Sequence, residues 1–164
     1  MKKLLLILLL IALTGKLFAQ AVPPFDQYKF DAANVYMAAD SLVLQTANYL
    51  LSTPIDQNES IRLKAGHFVM QWVEGTPEYS FSLEQNAIRY LSDDDVDMML
   101  LYVTSMAKYA LIAHSNDPKA NTINGIKVLL AYVNNPANNV KMDKGLKKLS
   151  DENNKGNLER FLNL

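Results

Sequence analysis

The chain has 164 residues, with 16 Lys and Arg against 17 Asp and Glu, a formal net charge of −1 and no cysteine. The absence of cysteine excludes disulfides, thiol catalysis and cysteine-based zinc sites. The balanced, slightly acidic composition argues against general nucleic-acid binding, because an acidic surface repels phosphates.

The N-terminal segment has the pattern of a Sec-type signal peptide. Lys2 and Lys3 form a positive start, and residues 4–13 form an apolar run too short to span a bilayer. Small residues at positions 19 and 21 suit the signal peptidase. The sequence therefore predicts cleavage after Ala19 or Ala21.

The mature protein is expected to be one soluble domain over residues 22–164. Lys16 stands where a bacterial lipoprotein would carry its lipid-accepting cysteine, which argues against a lipid anchor. We therefore expect a periplasmic or secreted protein that does not insert into the membrane once the signal peptide is removed.

Apolar residues at intervals of three and four predict a first long helix that begins after a proline-containing lead-in. Its buried stripe consists of Ala32, Val35, Tyr36, Ala39, Val43, Ala47 and Leu50. Thr53-Pro54 is predicted to end this helix, since a residue before proline disfavours the helical conformation. A second helix is predicted over residues 59–74, ended by Gly75-Thr76-Pro77.

The segment from Tyr79 to Leu83 alternates apolar and polar residues as a strand does, but it is short. Ser82 and Gln85 have the spacing of a capping box. We therefore interpret this segment as the approach to a short helix that ends near Leu91.

Three or four further helices are predicted in the second half of the chain. A long helix runs from Asp93 to about Ala113, with Val96 in its buried stripe and packed on Leu91. The next begins at Asp117-Pro118, because aspartate caps helices and proline suits their first position; Asn135-Pro136 ends it. One or two weaker basic helices follow over residues 142–150 and 157–162. The predicted class is all-α, a compact bundle or short stack of helical hairpins with five to seven helices.

A faint internal repeat at an offset of sixty residues accompanies this layout. Five residues have identical counterparts in the second half: Val43, Ala47, Tyr49, Leu51 and Val73 match Val103, Ala107, Tyr109, Leu111 and Val133. Both stretches read as a long helix, a break and a second helix, which is the arrangement expected of two helical hairpins.

A cluster of aspartates near residue 93 is the nearest approach to a metal-binding motif. A calcium loop counted from Asp93 would need glycine sixth and glutamate twelfth, where the chain has Met98 and Thr104. Ser92 as N-cap, followed by acidic residues in the first turn, explains the cluster better. The sequence therefore predicts no metal site, and it contains no cofactor motif.

His67 could serve in acid-base chemistry if Glu74 or Glu78 lies beside it. The sequence shows no accompanying nucleophile or glycine-rich loop. A small hydrolase or a lytic or transfer enzyme built on these residues is therefore the alternative hypothesis rather than the favoured one, and no catalytic residue is assigned.

Two regions are candidates for binding a partner. The first is an aromatic loop around Trp72, Tyr79 and Phe81, whose rings could contact a peptide, a glycan or a partner helix if they are exposed and otherwise fill the core. The second is a basic C-terminal tail that begins near Lys141. Residues 20–118 carry thirteen Asp and Glu against five Lys and Arg, whereas residues 119–164 carry eight Lys and Arg against four Asp and Glu.

Within this tail, Lys141, Lys144 and Lys148 are predicted to share one helical face. Such a face would suit an acidic partner, although it would also serve as an ordinary solvated surface.

The leader ending in Leu17-Phe18-Ala19-Gln20 and the segment VNNPANNVKMDKGLKKLS resemble the small secreted proteins of Bacteroidetes-type bacteria, a group with no assigned activity. The resemblance implies an exported, all-helical protein and assigns no catalytic residue. The favoured expectation is a non-enzymatic periplasmic interaction protein with a protein or peptide partner, and the oligomeric state stays open.

Overall fold

The computed structural model describes residues 21–91 and 96–164, which form seven α-helices and no strand. The helices are α1 (Ala33–Leu50), α2 (Glu59–Gly75), α3 (Gln85–Ile88), α4 (Val96–Ala113), α5 (Pro118–Val133), α6 (Lys144–Asn154) and α7 (Leu158–Leu162). Short 3-10 turns cover Phe25–Gln27 and Pro136–Asn138. The predicted all-α class is confirmed.

The four long helices form two antiparallel hairpins, α1 with α2 and α4 with α5. At one end of the bundle, Arg62 at the start of α2 donates to the Leu50 carbonyl at the end of α1. The Arg62 guanidinium also donates to the Tyr132 hydroxyl, at the end of α5. At the opposite end, the Trp72 indole donates to the Tyr36 carbonyl near the start of α1. Helices α2 and α4 therefore point in the same direction, and the link between the hairpins crosses the length of the bundle.

Side chains of α5 hold this crossing link in place. The Asn121 amide donates to the Ser80 carbonyl at 3.0 Å, and the Thr122 hydroxyl donates to the Ser82 carbonyl at 3.1 Å. Because these contacts join residues about forty positions apart, the link is bound to the bundle rather than extended into solvent.

Helix α4 is the centre of the core and contacts α1, α2 and α5. It approaches α2 and α5 closely at two glycines: Gly66 faces the Leu100 side chain, and Gly125 faces Met106. Among the described residues, α4 is the one helix whose length and composition would let it cross a membrane, and 61% of it is buried within the bundle. The core helix of a soluble protein has the same properties, so this feature carries no argument about membranes.

The two hairpins share the layout that the sixty-residue offset predicts. The first helix of each hairpin has 18 residues, and the second helices have 17 and 16. Val43 and its counterpart Val103 are both fully buried. The similar layout is thus observed, while common descent of the two halves stays a prediction.

Helix boundaries agree with the sequence pattern where a local cap determines them. Asp117 caps α5, since its carboxylate accepts from the Lys119 and Ala120 backbone amides.

The predicted capping box at Ser82 is wrong. Ser82 donates to the Glu84 carboxylate, and α3 begins at Gln85 without a side-chain cap.

The predicted burial of Val96 is also wrong, because 58% of this residue is exposed, whereas Leu91 is buried as expected. The predicted start of the helix at Ser92 and the aspartates at 93–95 lies outside the described residues. Near the C-terminus, α6 begins at Lys144, two residues later than predicted, and continues to Asn154. Lys141 therefore precedes α6 and does not share a helical face with Lys144.

Candidate functional site

The aromatic loop packs onto the core through Trp72. Trp72 is fully buried, while Tyr79 and Phe81 are partly buried with ring centroids 5.5 and 6.0 Å from its ring. Such distances are typical of stacked and edge-on aromatic pairs. Trp72 is therefore unavailable to a ligand, and of the three predicted aromatic residues only Tyr79 and Phe81 reach the surface in part.

Asp40 lies beside this aromatic cluster and receives a hydrogen bond that the sequence did not reveal. The Trp72 indole nitrogen lies 3.1 Å from the Asp40 carboxylate and 3.1 Å from the Tyr36 carbonyl. A buried indole N–H normally has a partner, so Asp40 has a structural role in satisfying Trp72.

Two further ionisable groups act on the Asp40 carboxylate. Burial raises the pKa of Asp40 above its ordinary value, the Trp72 hydrogen bond opposes this rise, and the negative charge of Glu78 adds to it. The His114 charge acts in the opposite direction. Burial and the Asp40 and Glu78 charges likewise raise the pKa of Tyr79. The Asp40 carboxylate is thus influenced by the charges of Glu78 and His114, which belong to two other segments of the chain.

The sequence contains one signal for this cluster. Asp40 follows Tyr36 by four residues and precedes Val43 by three, so a charged side chain lies within the apolar stripe of α1. Such a position predicts a specific polar partner. The partner could not be identified, because Trp72 lies 32 residues further along the chain.

His67 does not meet the carboxylates proposed for it. His67, Glu74 and Glu78 are all exposed, and no hydrogen bond or ion pair joins them in the described part of the chain. His67 and Glu74 lie about two turns apart on α2, or about 10 Å along the helix axis. Among the described residues, His67 therefore makes no hydrogen bond or ion pair with Glu74 or Glu78, which the enzyme hypothesis requires.

The basic tail divides into paired and unpaired lysines. Lys148 and Lys155 both contact the Glu152 carboxylate, at 3.2 and 3.0 Å, and Lys148 also lies over the Phe161 ring. Hydrogen bonds from Asn157, Lys155 and Lys148 lower the pKa of Glu152 to about 2. Lys148 thus contributes to holding α6 on α7, which is a structural role.

Lys141 and Lys144 are exposed, as is Lys147, and none of the three makes an ion pair or side-chain hydrogen bond within residues 21–91 and 96–164. Lys144 is the first residue of α6, and Lys147 lies within its first turn. A cation at this end of a helix opposes the helix dipole, so these lysines do not stabilise α6 electrostatically. The sequence did not single out Lys147, because only the position of Glu152 shows which lysines are already paired.

No group of three histidine or acidic side chains could hold a metal ion among the residues described. The aspartates at 93–95 fall outside that part of the chain, so the structure leaves their predicted capping role untested.

Comparison with known proteins yields no match to a protein-family model, a curated protein or a solved structure.

Proposed function

We propose that the protein is an exported, non-enzymatic binding protein of the periplasm that holds an acidic protein or peptide on its C-terminal basic surface. This surface consists of Lys141, Lys144 and Lys147. The resemblance to secreted helical proteins of Bacteroidetes-type bacteria and the N-terminal signal-peptide pattern support the location.

The observation that carries the proposal is a group of three exposed lysines, unpaired within the described part of the chain, at and just before the start of α6, where positive charge does not stabilise the helix. Three positive charges within seven residues repel one another and the positive end of the α6 dipole. The Asp143 carboxylate, which lies between Lys141 and Lys144 in sequence and caps α6 by accepting from the Leu146 amide, offsets part of both effects. An acidic partner would offset the remainder. Because the adjacent Glu152 cluster holds α6 in place, the surface is presented on a fixed element rather than on a flexible tail.

The favoured site thus shifts from the expected one. Tyr79 and Phe81 are partly covered by their packing on Trp72, and Lys148 is paired with Glu152. The alternative hypothesis of a hydrolase or a lytic or transfer enzyme finds no support in the surroundings of His67, which has no bonded carboxylate among the described residues.

Binding of poly-L-glutamate to the mature protein tests the surface. We expect affinity that falls as salt concentration rises, because exposed charge pairs are screened. Replacing Lys141, Lys144 and Lys147 together by Gln should weaken binding about tenfold, since each exposed pair contributes about 0.2–1 kcal/mol.

The matched control replaces three other exposed lysines, Lys29, Lys64 and Lys127, by Gln, which changes the net charge equally. This variant should bind nearly as well as the wild type. Equal weakening in both triple variants would show that net charge alone attracts the polymer, and would refute the assigned surface. Pull-down from the periplasm with the wild type and the tail variant as paired baits then identifies the natural partner.

Export is tested separately by the intact mass of the secreted product. We expect a mass that corresponds to cleavage after Ala19 or Ala21, without lipid. A retained leader, or partition of the product into detergent, would contradict the proposed location.

A further inference from the structure

A groove lies between α4 and α5, near the end of the bundle where Arg62 lies. Its volume is about 340 Å³, within the range of small-molecule sites. Its walls are largely apolar and include Leu51, Val128 and Ala131, with the buried Tyr132 between them. The Tyr132 hydroxyl is already used, because it donates to the Thr53 carbonyl at 2.8 Å.

Lys108 also lines this groove, and nothing in the described chain pairs with its charge. No hydrogen bond or ion pair holds its ammonium group among the described residues. Burial lowers the pKa of Lys108, with no contribution from a neighbouring charge. A partly buried cation without a counter-ion destabilises a fold, so its presence beside a groove suggests a binding role.

Asn135 supplies a second donor at the same groove. Its side-chain oxygen accepts from the Ala137 backbone amide at 3.1 Å, and its exposed side-chain NH₂ group has no partner among the described residues. Asn138 is different, since its NH₂ group donates to the Tyr132 carbonyl at 2.8 Å. The groove therefore offers one ammonium group and one free amide donor beside apolar walls.

We propose that this groove binds a small organic monocarboxylate, whose carboxylate is held by Lys108 and Asn135 and whose short hydrocarbon part lies against Leu51, Val128 and Ala131. One unpaired positive charge matches a monoanion. A phosphate dianion generally requires more cations or the forked geometry of arginine. At about 30 Å³ per water molecule, the groove accommodates about ten water-sized atoms, which suits an acid about the size of hexanoate.

Hexanoate titration of isotope-labelled mature protein, followed by NMR, tests the proposal. We expect saturable shifts at Val128 and Ala131 with a dissociation constant of about 1 mM, given the small number of ligand atoms. Hexanoate should also raise the pKa of Lys108, measured from its side-chain carbon shifts, because a bound anion favours the protonated amine. Hexanol, which has the same chain without the charge, should bind at least about tenfold more weakly.

Two variants address the residues. Lys108→Met keeps an unbranched apolar side chain of nearly the same length without the charge and should weaken hexanoate binding by at least about tenfold, whereas Lys127→Met, next to the groove wall in sequence, should bind normally. Ala131→Leu fills the groove from an exposed helical position and should abolish the shifts while Lys108 remains. Should Lys108→Met fail to fold, Ala131→Leu still decides the question.

Three results would overturn the proposal: no saturable shift at about ten times the expected dissociation constant, equal binding by wild type and Lys108→Met, or binding that Ala131→Leu leaves intact. Inorganic phosphate that binds as tightly as hexanoate would show an anion site without the apolar component, which would also refute the assigned ligand class.

Discussion

The close contact between α4 and α5 allows a sharp prediction for Gly125→Ala. A β-carbon at residue 125 would lie 2.5 Å from the Met106 side chain and 2.9 and 3.0 Å from its backbone Cα and nitrogen. Carbon atoms in ordinary contact lie about 3.5–4.0 Å apart. Because two of these atoms belong to the backbone, the methyl group can be accommodated only if the two helices move apart.

Two opposing effects determine the size of the change. Alanine in a helix interior is favoured over glycine by about 0.8–1 kcal/mol, whereas overpacking a core costs about 1–3 kcal/mol. Backbone contacts of 2.9 and 3.0 Å place this site in the upper part of that range, at about 2–3 kcal/mol. We therefore expect Gly125→Ala to lower the free energy of unfolding by about 1–2 kcal/mol and the Tm by about 2–8 °C.

Thermal and urea unfolding followed by circular dichroism measure this change. Gly66→Ala provides a comparison, since two of the three atoms nearest its added β-carbon, at 2.8 and 3.2 Å, lie in the outer part of the Leu100 side chain, which can rotate. The third, at 2.9 Å, is the Leu100 β-carbon, which rotation cannot move. We expect Gly66→Ala to lower the free energy of unfolding by less than Gly125→Ala does, because it meets one fixed atom instead of two. A Tm for Gly125→Ala at or above that of the wild type would refute the close approach of α4 and α5.

Three further predictions concern charge and capping. Burial lowers the pKa of Lys108 in the folded protein below its ordinary value of 10.5. The charged lysine therefore destabilises the fold at pH values below its folded-state pKa, and this destabilisation decreases as the pH rises towards 10.5. Lys108→Met should therefore raise the Tm at neutral pH, and the increase should become smaller near pH 10.5. Melting curves measured over a pH series test this, and a lower Tm at neutral pH would contradict it. Glu152, whose pKa its three hydrogen-bond donors lower to about 2, stabilises the fold above its ordinary value of 4.5, and this contribution disappears as the pH falls towards 2. Glu152→Gln should thus lower the Tm at neutral pH but not near pH 2, and an equal loss at both would show that its charge is not involved. Asp117→Ala should cost about 0.5–2 kcal/mol in urea unfolding, because two amides at the start of α5 lose their acceptor, and an unchanged midpoint would argue against the cap.

Features that depend on residues adjacent in the chain can be predicted from the sequence alone. The three-four spacing of apolar residues predicts the four long helices, because one face of each must leave water. Asp117-Pro118 places the start of α5 correctly, since cap and first turn are adjacent in the chain. The absence of cysteine excludes a whole class of chemistry without reference to any structure.

The side chains that meet across the bundle can be identified only from the packed helices. Trp72 is buried and bonded to Asp40, 32 residues away, and Arg62 reaches Tyr132, 70 residues away. The periodicity of a helix shows which face is apolar but not which neighbour covers it, so the sequence left open whether the aromatic loop is core or surface. The exposure of Val96 has the same explanation, since it lies on the apolar stripe but beyond the area that other helices cover.

The candidate binding residues depend on tertiary structure for an electrostatic reason. The sequence does not distinguish the lysines of the tail, but in the described part of the chain Glu152 pairs with Lys148 and Lys155, whereas Lys147 has no partner. Lys108 likewise has the sequence position of an ordinary surface residue of a helix, but its side chain is partly buried where α4 packs on α5. The sequence specifies which residues carry a charge, whereas the folded structure determines how far each charge is solvated and which groups it contacts. Solvation and contacts together determine whether a charge stabilises the protein or is available to a ligand.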